Sequence, residues 1–385
     1  MRWIGPFKIG DIDVRLARFT PFRAKARPIG RWFGKSRSYS RPGSTSSWRR
    51  SHLRFAPAQK KSCNSRAAQK QQFFHCRLST FQFVELSGLI GALMKDKVAA
   101  IGVIGGSGLY QMEELRDATE HKIDTPFGAP SDVLIGGTIG GRQVYFLPRH
   151  ARGHRLLPHE LNHRANIYAL RVLNVRWIIC VTAVGSLQEK YAPRDVLLPS
   201  QFYDRTSLRS AHTFFGGGIA AHVSFAEPIS ANLRNLIAES ARALGVTVHN
   251  GGTYVNMDGP AFSTRAESEL NRRHGFDVIG MTNLPEAKLA REAEIALATM
   301  AMITDYDCWK IEEEPVSAQT VIGHLLANAE TAKKILADVI PRVPSEPNWP
   351  EHFALDAALV TERKLWPGAT VEKLKPILER FLRGC

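Results

Sequence analysis

The sequence is poor in cysteine, in long apolar runs and, over its first quarter, in acids, and each shortage removes a class of protein. Five cysteines stand among 385 residues. Cys63 and Cys76 lie early, while Cys180, Cys308 and Cys385 are scattered, and an odd number without regular spacing gives neither a disulfide framework nor a paired metal-ligand motif. A reducing cytoplasm is the simplest setting for such a chain. No apolar stretch reaches the roughly 18 to 20 residues that a spanning helix needs. The expectation is a soluble protein without a membrane partner. The glycine spacings of dinucleotide-binding and triphosphate-binding loops are missing as well.

Residues 1–93 hold three acids, Asp11, Asp13 and Glu85, against 19 lysines and arginines, a net of +16. The remainder holds 32 bases and 33 acids, so the formal charge of +15 for the whole chain describes neither part. Stretches such as Gly34-Lys35-Ser36-Arg37-Ser38-Tyr39-Ser40-Arg41-Pro42-Gly43 show low complexity, one sign of charge and no sustained period, which argues for disorder. A transit peptide is Arg- and Ser-rich and acid-poor, and a nucleic-acid-binding arm is basic with interleaved aromatics. A third reading is that the segment is not native. Met94-Lys95-Asp96-Lys97 directly precedes the first strong strand and would serve as an ordinary start, which favours that third reading. Nucleic acid is then not an expected partner.

From Val98 onward, β-rich apolar runs alternate with amphipathic stretches. The patterns predict strands at Val98–Ile104, Val144–Leu147, Trp177–Thr182, Val196–Pro199, Asp277–Met281 and Ala298–Thr304. They predict helices at Pro158–Leu173, Ser230–Leu244, Thr264–His274, Pro285–Ala296 and Ala318–Ile340. Such alternation implies an α/β fold: a single domain over 94–340 with a central mixed, largely parallel β-sheet flanked by helices. A helical tail over 341–385 is expected to pack on it, with helices near Glu351–Thr361 and Thr370–Phe381.

Candidate chemistry collects at strand ends. The cluster Gly105-Gly106-Ser107-Gly108 ends the first strand, where backbone N–H groups can converge on an anion and Ser107 adds a hydroxyl. A tight structural turn is the plain alternative. Pro148-Arg149-His150-Ala151-Arg152-Gly153-His154 follows the second strand. Arg149 can grip phosphate through a bidentate fork, and His150 can donate to the same anion or to a sugar hydroxyl. The third strand runs into Ala183-Val184-Gly185-Ser186-Leu187, read as a ligand-facing turn, and the strand ending at Met281 offers the Thr282 hydroxyl. The last strand ends in Thr304-Asp305-Tyr306-Asp307. Carboxylates at i and i+2 of an extended segment point the same way. They can receive the exocyclic amine of adenine and help place a proton on the leaving base; solvated surface acids are the plain alternative. No further ligand follows at metal-site spacing, so no metal is expected.

These elements, in this order, resemble the methylthioadenosine phosphorylase branch of the trimeric purine nucleoside phosphorylases. The matching segments are GVIGGSGL at 102, DTPFGAPSD at 124, RHARGH at 149, TAVGSL at 182, FYDRT at 202, DGPAFSTRAES at 258, MTNLPE at 281 and TDYDCWK at 304. The resemblance implies that Ser107, Arg149, His150, Thr182, Ala183 and Thr282 hold phosphate. It places Met281 against the ribose and Asp305, Asp307 and Ser263 at the base, with Asp305 and Asp307 catalytic. It puts Ala318 beside the 5′ substituent, as a specificity position with Ser263. It also makes His222 a histidine that reaches a neighbouring subunit's 5′ pocket, so the active unit would be a homotrimer.

Two departures stand out: the family's EGPRF reads DGPAF here, so Asp258 replaces a glutamate and Ala261 an arginine. The implied reaction is phosphorolysis of methylthioadenosine to adenine and 5-methylthioribose 1-phosphate, with phosphate as co-substrate and no cofactor. The alternative is a phosphorylase for 6-oxopurine nucleosides, which an asparagine rather than a carboxylate would suit. A nucleic-acid-binding module on an inactive core is the weaker reading from another class.

Overall fold

The structure, a computed structural model, describes residues 98–106, 108–207, 211–310 and 318–383, with side chains 318–322 excepted. The basic extension over residues 1–93 and Ser107 lie outside the described residues.

Eleven strands among the described residues form one sheet. Its centre is β5 (Val175–Ser186), which pairs in parallel with β1 (Ala100–Gly105) on one side and with β11 (Ala296–Asp305) on the other. Beyond β1 lie β4 (Arg142–Pro148), β3 (Leu134–Ile139) and β2 (Arg116–His121), the last two added antiparallel. The far end of β5 also pairs antiparallel with β10 (Val278–Gly280), which leads in parallel to β9 (Thr253–Asn256) and β7 (Gln201–Asp204). The short strands β6 (Val196–Leu198) and β8 (Val248–Asn250) extend the β11 side.

β1 is buried at every position, and β11 at all but Asp305. Both faces of these strands are therefore covered, which is why they read as continuous apolar runs rather than alternating ones. The cover comes from two helix pairs: α1 (His163–Val172) with α4 (Asn283–Glu292), and α2 (Ala231–Ala243) with α5 (Ala318–Val339). Capping fixes where helices start. Asn162 accepts from the Ala165 N–H at the head of α1, and Thr264 with Glu267 closes a capping box on α3 (Arg265–Arg273).

Four expectations need correction. The stretch Ala183–Ser186 is not a turn: β5 runs unbroken to Ser186, because β10 and β11 both supply backbone partners there. The helix expected near Pro158 starts only at His163, after a short 3₁₀ turn at Pro158–Glu160. No helix spans 351–361. A 3₁₀ turn at Pro350–Phe353 gives way to a segment whose backbone is drawn off by a neighbouring loop, with Val360 N–H donating to Ala220 and a bridge between Ala221 and Leu359. The last expected helix divides into α6 (Gly368–Lys373) and α7 (Lys375–Leu382). The tail is held by Arg380, whose guanidinium meets the fully buried Glu294 at 2.6 and 2.8 Å.

Candidate active site

Parallel strands carry their ends the same way: Gly105 closes β1, Arg149 follows β4 and Asp305 closes β11, while Thr182 lies inside β5, four residues before its end. Arg149 N–H donates to Gly105 O at 2.8 Å, and Arg149 Nη1 to Val181 O at 3.0 Å, which ties the first three strands together. Thr282 follows β10 and precedes α4; it is buried, and its hydroxyl makes no capping bond. A hydroxyl beside the start of a helix suits an anion.

Arg149 does not hold its fork open at these strand ends. Its Nε and Nη2 meet the two carboxylate oxygens of Glu286 at 2.5 and 2.9 Å, and Nη2 also lies 3.4 Å from Ile104 O. Both side chains are almost wholly buried. Burial works against each charge, but the partner's charge and hydrogen bonds outweigh it, raising the Arg149 pKa and lowering that of Glu286. Four of the five guanidinium N–H bonds are thus spent, and one on Nη1 is left. The expected bidentate grip is replaced by a single donor held in a fixed place.

Glu286 was missed in the sequence, where an acid in the first turn of a helix reads as a partner for the helix dipole. Here it is the hub of a buried network. The Cys180 thiol donates to it at 3.3 Å and Asn283 Nδ2 at 3.1 Å, while Asn283 Oδ1 accepts from Thr299 at 2.5 Å. Burial, with the nearby carboxylate, raises the Cys180 pKa well above its ordinary value.

His150 also differs from expectation. A carbonyl only accepts, so the 2.8 Å contact between Nδ1 and Leu156 O makes Nδ1 the protonated nitrogen. Burial, partly offset by that bond and reinforced by Arg149 and His154, lowers the His150 pKa to about 4. The neutral ring, stacked on His154 at 4.5 Å, presents Nε2 as an acceptor rather than a donor.

The acid pair occupies the end of β11, where the register against β5 shifts between Ile303 and Asp305. A bulge of this kind re-aims side chains. Thr304 and the Asp307 N–H occupy the Asp305 oxygens at 2.6 and 2.9 Å. By contrast, Asp307 Oδ2 is buried without a partner, and so is the hydroxyl of Ser268. Burial raises the pKa of both aspartates, against the pull of Thr304 and the Asp307 N–H on Asp305 and of Ser268 and Ser263 on Asp307. Gly185 makes room for the pair: a Cβ there would stand 3.2 Å from Asp305 Oδ1 and 3.4 Å from Asp307 Cβ. His324 Nδ1 and Asn328 Nδ2 donate to the carbonyls of Thr304 and Ile303, so α5 fixes the strand end from behind.

The remaining candidates fall in three groups. Thr182 and Ala183 lie within β5, the first buried and the second exposed. Met281 rests its thioether against Gly259, in the loop that leads to Ser263. His222 sits exposed on a separate loop, its N–H bonded to Ala358 O at 2.8 Å. Ala318 opens α5, and its side chain lies outside the described residues. Of the two departures in DGPAF, Asp258 accepts from the Ser207 N–H and hydroxyl at 3.0 and 2.6 Å, and Ala261 leaves Phe262 largely exposed beside it. No group of three metal-ligating side chains exists among the described residues.

Comparison with known proteins places this architecture. Residues 100–341 match the phosphorylase superfamily. An S-methyl-5′-thioadenosine phosphorylase of Gloeobacter violaceus is 54% identical over 288 residues, covering 74% of this chain and 96% of the relative. One from Geobacter sulfurreducens is 50% identical, covering 73% and 99%. Among solved structures, a methylthioadenosine phosphorylase from an Antarctic soil metagenomic library superposes with a TM-score of 0.70 at 46% identity, over 73% of this chain and all of that one. The Schistosoma mansoni enzyme in complex with adenine gives 0.64 at 32% identity, over 69% and all of that chain. The chain therefore belongs to the phosphorylase superfamily and, within it, to the methylthioadenosine phosphorylases.

Proposed function

We propose that the chain catalyses phosphorolysis of S-methyl-5′-thioadenosine to adenine and 5-methylthioribose 1-phosphate. The observation that carries this is the half-buried acid pair at the bulged end of β11, with its one unpartnered oxygen on Asp307. Burial raises the pKa of both carboxyl groups, so each holds a proton to higher pH than an exposed aspartate does, and a purine leaves readily only when a proton reaches its ring. The Schistosoma relative's complex with adenine supports the same assignment.

In this reading phosphate lies below the sugar, met by Thr182, Ala183, Thr282, His150 and the spare N–H of Arg149, with Ser107 from the glycine loop. As the bond from C1′ to the purine breaks, its electron pair passes to the base and positive charge grows on C1′. Phosphate stabilises that charge and then bonds to C1′. Asp305, fixed by Thr304, and Asp307, with its free oxygen toward the base, supply and hold the proton on the departing adenine. Met281 lies against the ribose, Ser263 borders the base, and Ala318 borders the 5′ substituent.

The reading includes a homotrimer, in which the exposed His222 of one chain reaches a neighbouring subunit's 5′ pocket. Phosphate is the co-substrate and no cofactor takes part. The free thiols of Cys180 and Cys308 suit a cytoplasmic enzyme. The test is kcat/KM for methylthioadenosine, 5′-methylthioinosine and inosine. The first is expected to lead by at least tenfold, and faster cleavage of inosine would overturn the assignment.

A further inference from the structure

We infer that Ser268 of α3 is a positioning residue for the leaving-group proton: its hydroxyl donates to Asp307 Oδ2 and stabilises that carboxylate as the proton passes to the departing base. The inference rests on the phosphorolysis reading above, and it starts from how α3 packs on the turn that carries Asp307. After β11 the chain enters a 3₁₀ turn over Asp307–Trp309. Arg272 lies over the Trp309 ring, its guanidinium carbon 3.5 Å from the centroid, while its Nε donates to Leu187 O at 3.1 Å. The Trp309 indole N–H donates to Ser186 O at 2.8 Å, so helix and turn are both tied to the chain at the end of β5. Ser268 precedes Arg272 by four residues and therefore shares its face of α3. That places it against Asp307 and Cys308, on whose side chains its hydroxyl acts.

The Ser268 side chain is fully buried and its hydroxyl has no partner. Asp307 Oδ2 is likewise out of water and without a partner. A hydroxyl turns about its C–O bond, so its proton can be aimed at Oδ2 without moving α3. A carboxylate oxygen has two lone-pair sites, so Oδ2 can take Ser268 on one and face the base with the other. The Asp307 backbone is left-handed, with φ at +34°, a conformation that persists in a non-glycine residue when its surroundings fix it.

The other groups around Asp307 are committed elsewhere. Asp305 has both oxygens engaged, and Glu267 closes the capping box at the start of α3. The Cys308 thiol donates to Ser263 O at 3.3 Å, and Ser263 turns its own hydroxyl to Met257 Sδ at 3.9 Å. Arg265 stands exposed on α3, and His324 donates to Thr304 O from α5. Burial raises the Asp307 pKa, and Ser268 exerts the largest opposing pull. In the step so served, the C1′–purine bond breaks with its electron pair going to the base. A ring nitrogen of the base takes the Asp307 proton, and the carboxylate left behind accepts from Ser268. A hydrogen bond donated to an ionised group favours it by about tenfold or more.

The test reads kcat for methylthioadenosine against pH at saturating phosphate, in the wild type, Ser268→Ala, Asp307→Asn and the double variant. Ser268→Ala is expected to lose about tenfold in kcat on the plateau, with both KM values little changed. Without the donor the ionised acid is less stable, so the alkaline limb should move up by about one pH unit. Beside Asp307→Asn, the same alanine should cost less than about twofold, because no carboxylate charge remains for Ser268 to stabilise.

An alkaline limb that stays in place in Ser268→Ala overturns the inference. So does a loss that recurs in full beside Asp307→Asn, which would make Ser268 a packing residue alone. Should Ser268→Ala fail to fold, Ser268→Cys, close in size and a poorer donor, should move the limb the same way, and an unmoved limb there is equally contrary. Wild-type adenine release that needs no phosphate would instead sink the phosphorolysis reading, a result that no position of the limb imitates.

Discussion

Replacing Glu286 by glutamine keeps the shape of a buried side chain while removing the charge that faces Arg149. Both groups lie out of water, with side-chain exposures of 3% for Arg149 and 0% for Glu286. The amide can still accept one hydrogen bond from the guanidinium, but its NH₂ must face either Nε or Nη2, donor against donor. Breaking a buried pair so that one charge is left uncompensated costs about 3–5 kcal/mol. A chain of this size loses about 2 °C of Tm per kcal/mol, so the midpoint should fall by roughly 6–10 °C. The freed guanidinium no longer fixes its spare N–H, and phosphate KM should rise by at least tenfold while nucleoside KM moves little. Thermal unfolding and two-substrate kinetics read both effects. The double variant Arg149→Met with Glu286→Met separates them, because apolar replacement of a whole buried pair is often neutral or stabilising: it should recover much of the lost stability and none of the phosphate use. A Glu286→Gln protein with unchanged Tm and unchanged phosphate KM would refute the network as described.

Other consequences follow from neighbouring groups. Burial, partly offset by the Phe214 N–H and the Thr213 hydroxyl, raises the Glu292 carboxyl from 4.5 to about 7. The folded state therefore binds a proton that the unfolded state releases, and this contribution is full below about pH 4.5 and lost as pH rises through 7, worth ~3 kcal/mol. Glu292→Gln should flatten the wild-type decline in Tm between pH 5 and 8; parallel slopes in the two proteins would count against it. Both aspartates of the pair have raised pKa values, so the acid form persists upward in pH and kcat should fall as pH rises past them. Asp307→Asn is expected to lower kcat/KM for methylthioadenosine by ~10²–10⁴ and to remove that limb of the profile. Retention of the full pH profile in Asp307→Asn would return the proton to Asp305 alone. The tail anchors the loop bearing His222, with Ala220 N–H donating to the Thr361 hydroxyl at 2.8 Å. Thr361→Val should raise the methylthioadenosine KM several-fold with kcat nearly unchanged, and an equal change for adenosine would show that the anchor acts on stability alone.

The central strands were legible because they are buried on both faces. Runs such as Ile101–Ile104 and Trp177–Val181 leave no other reading once helical stretches alternate with them. Strands β2, β3, β7, β8 and β9 were not legible: Arg-Asp-Ala-Thr-Glu-His in β2 is exposed along nearly its whole length, Gly136-Gly137 interrupts the apolar run of β3, and the other three have only three or four residues, too few for a period to show. At the site, strand ends and paired acids are local features, and sequence pattern singled out Arg149 after β4 and Asp305 at the end of β11. It could not show how their polar groups are spent. The bond from His150 to Leu156 depends on the path of the loop between them, and the pairing of Arg149 with Glu286, 137 positions away, on a tertiary contact, neither of which spacing encodes. Asp305 and Asp307 look equivalent in sequence, and only the turn that engages both Asp305 oxygens distinguishes them.

The most direct test of the account is adenine release from methylthioadenosine by the purified chain, with and without inorganic phosphate. Release that depends on phosphate and matches 5-methylthioribose 1-phosphate mole for mole is the expected result. Equal release without phosphate, with free 5-methylthioribose as the product, would make the chain a hydrolase and contradict the account.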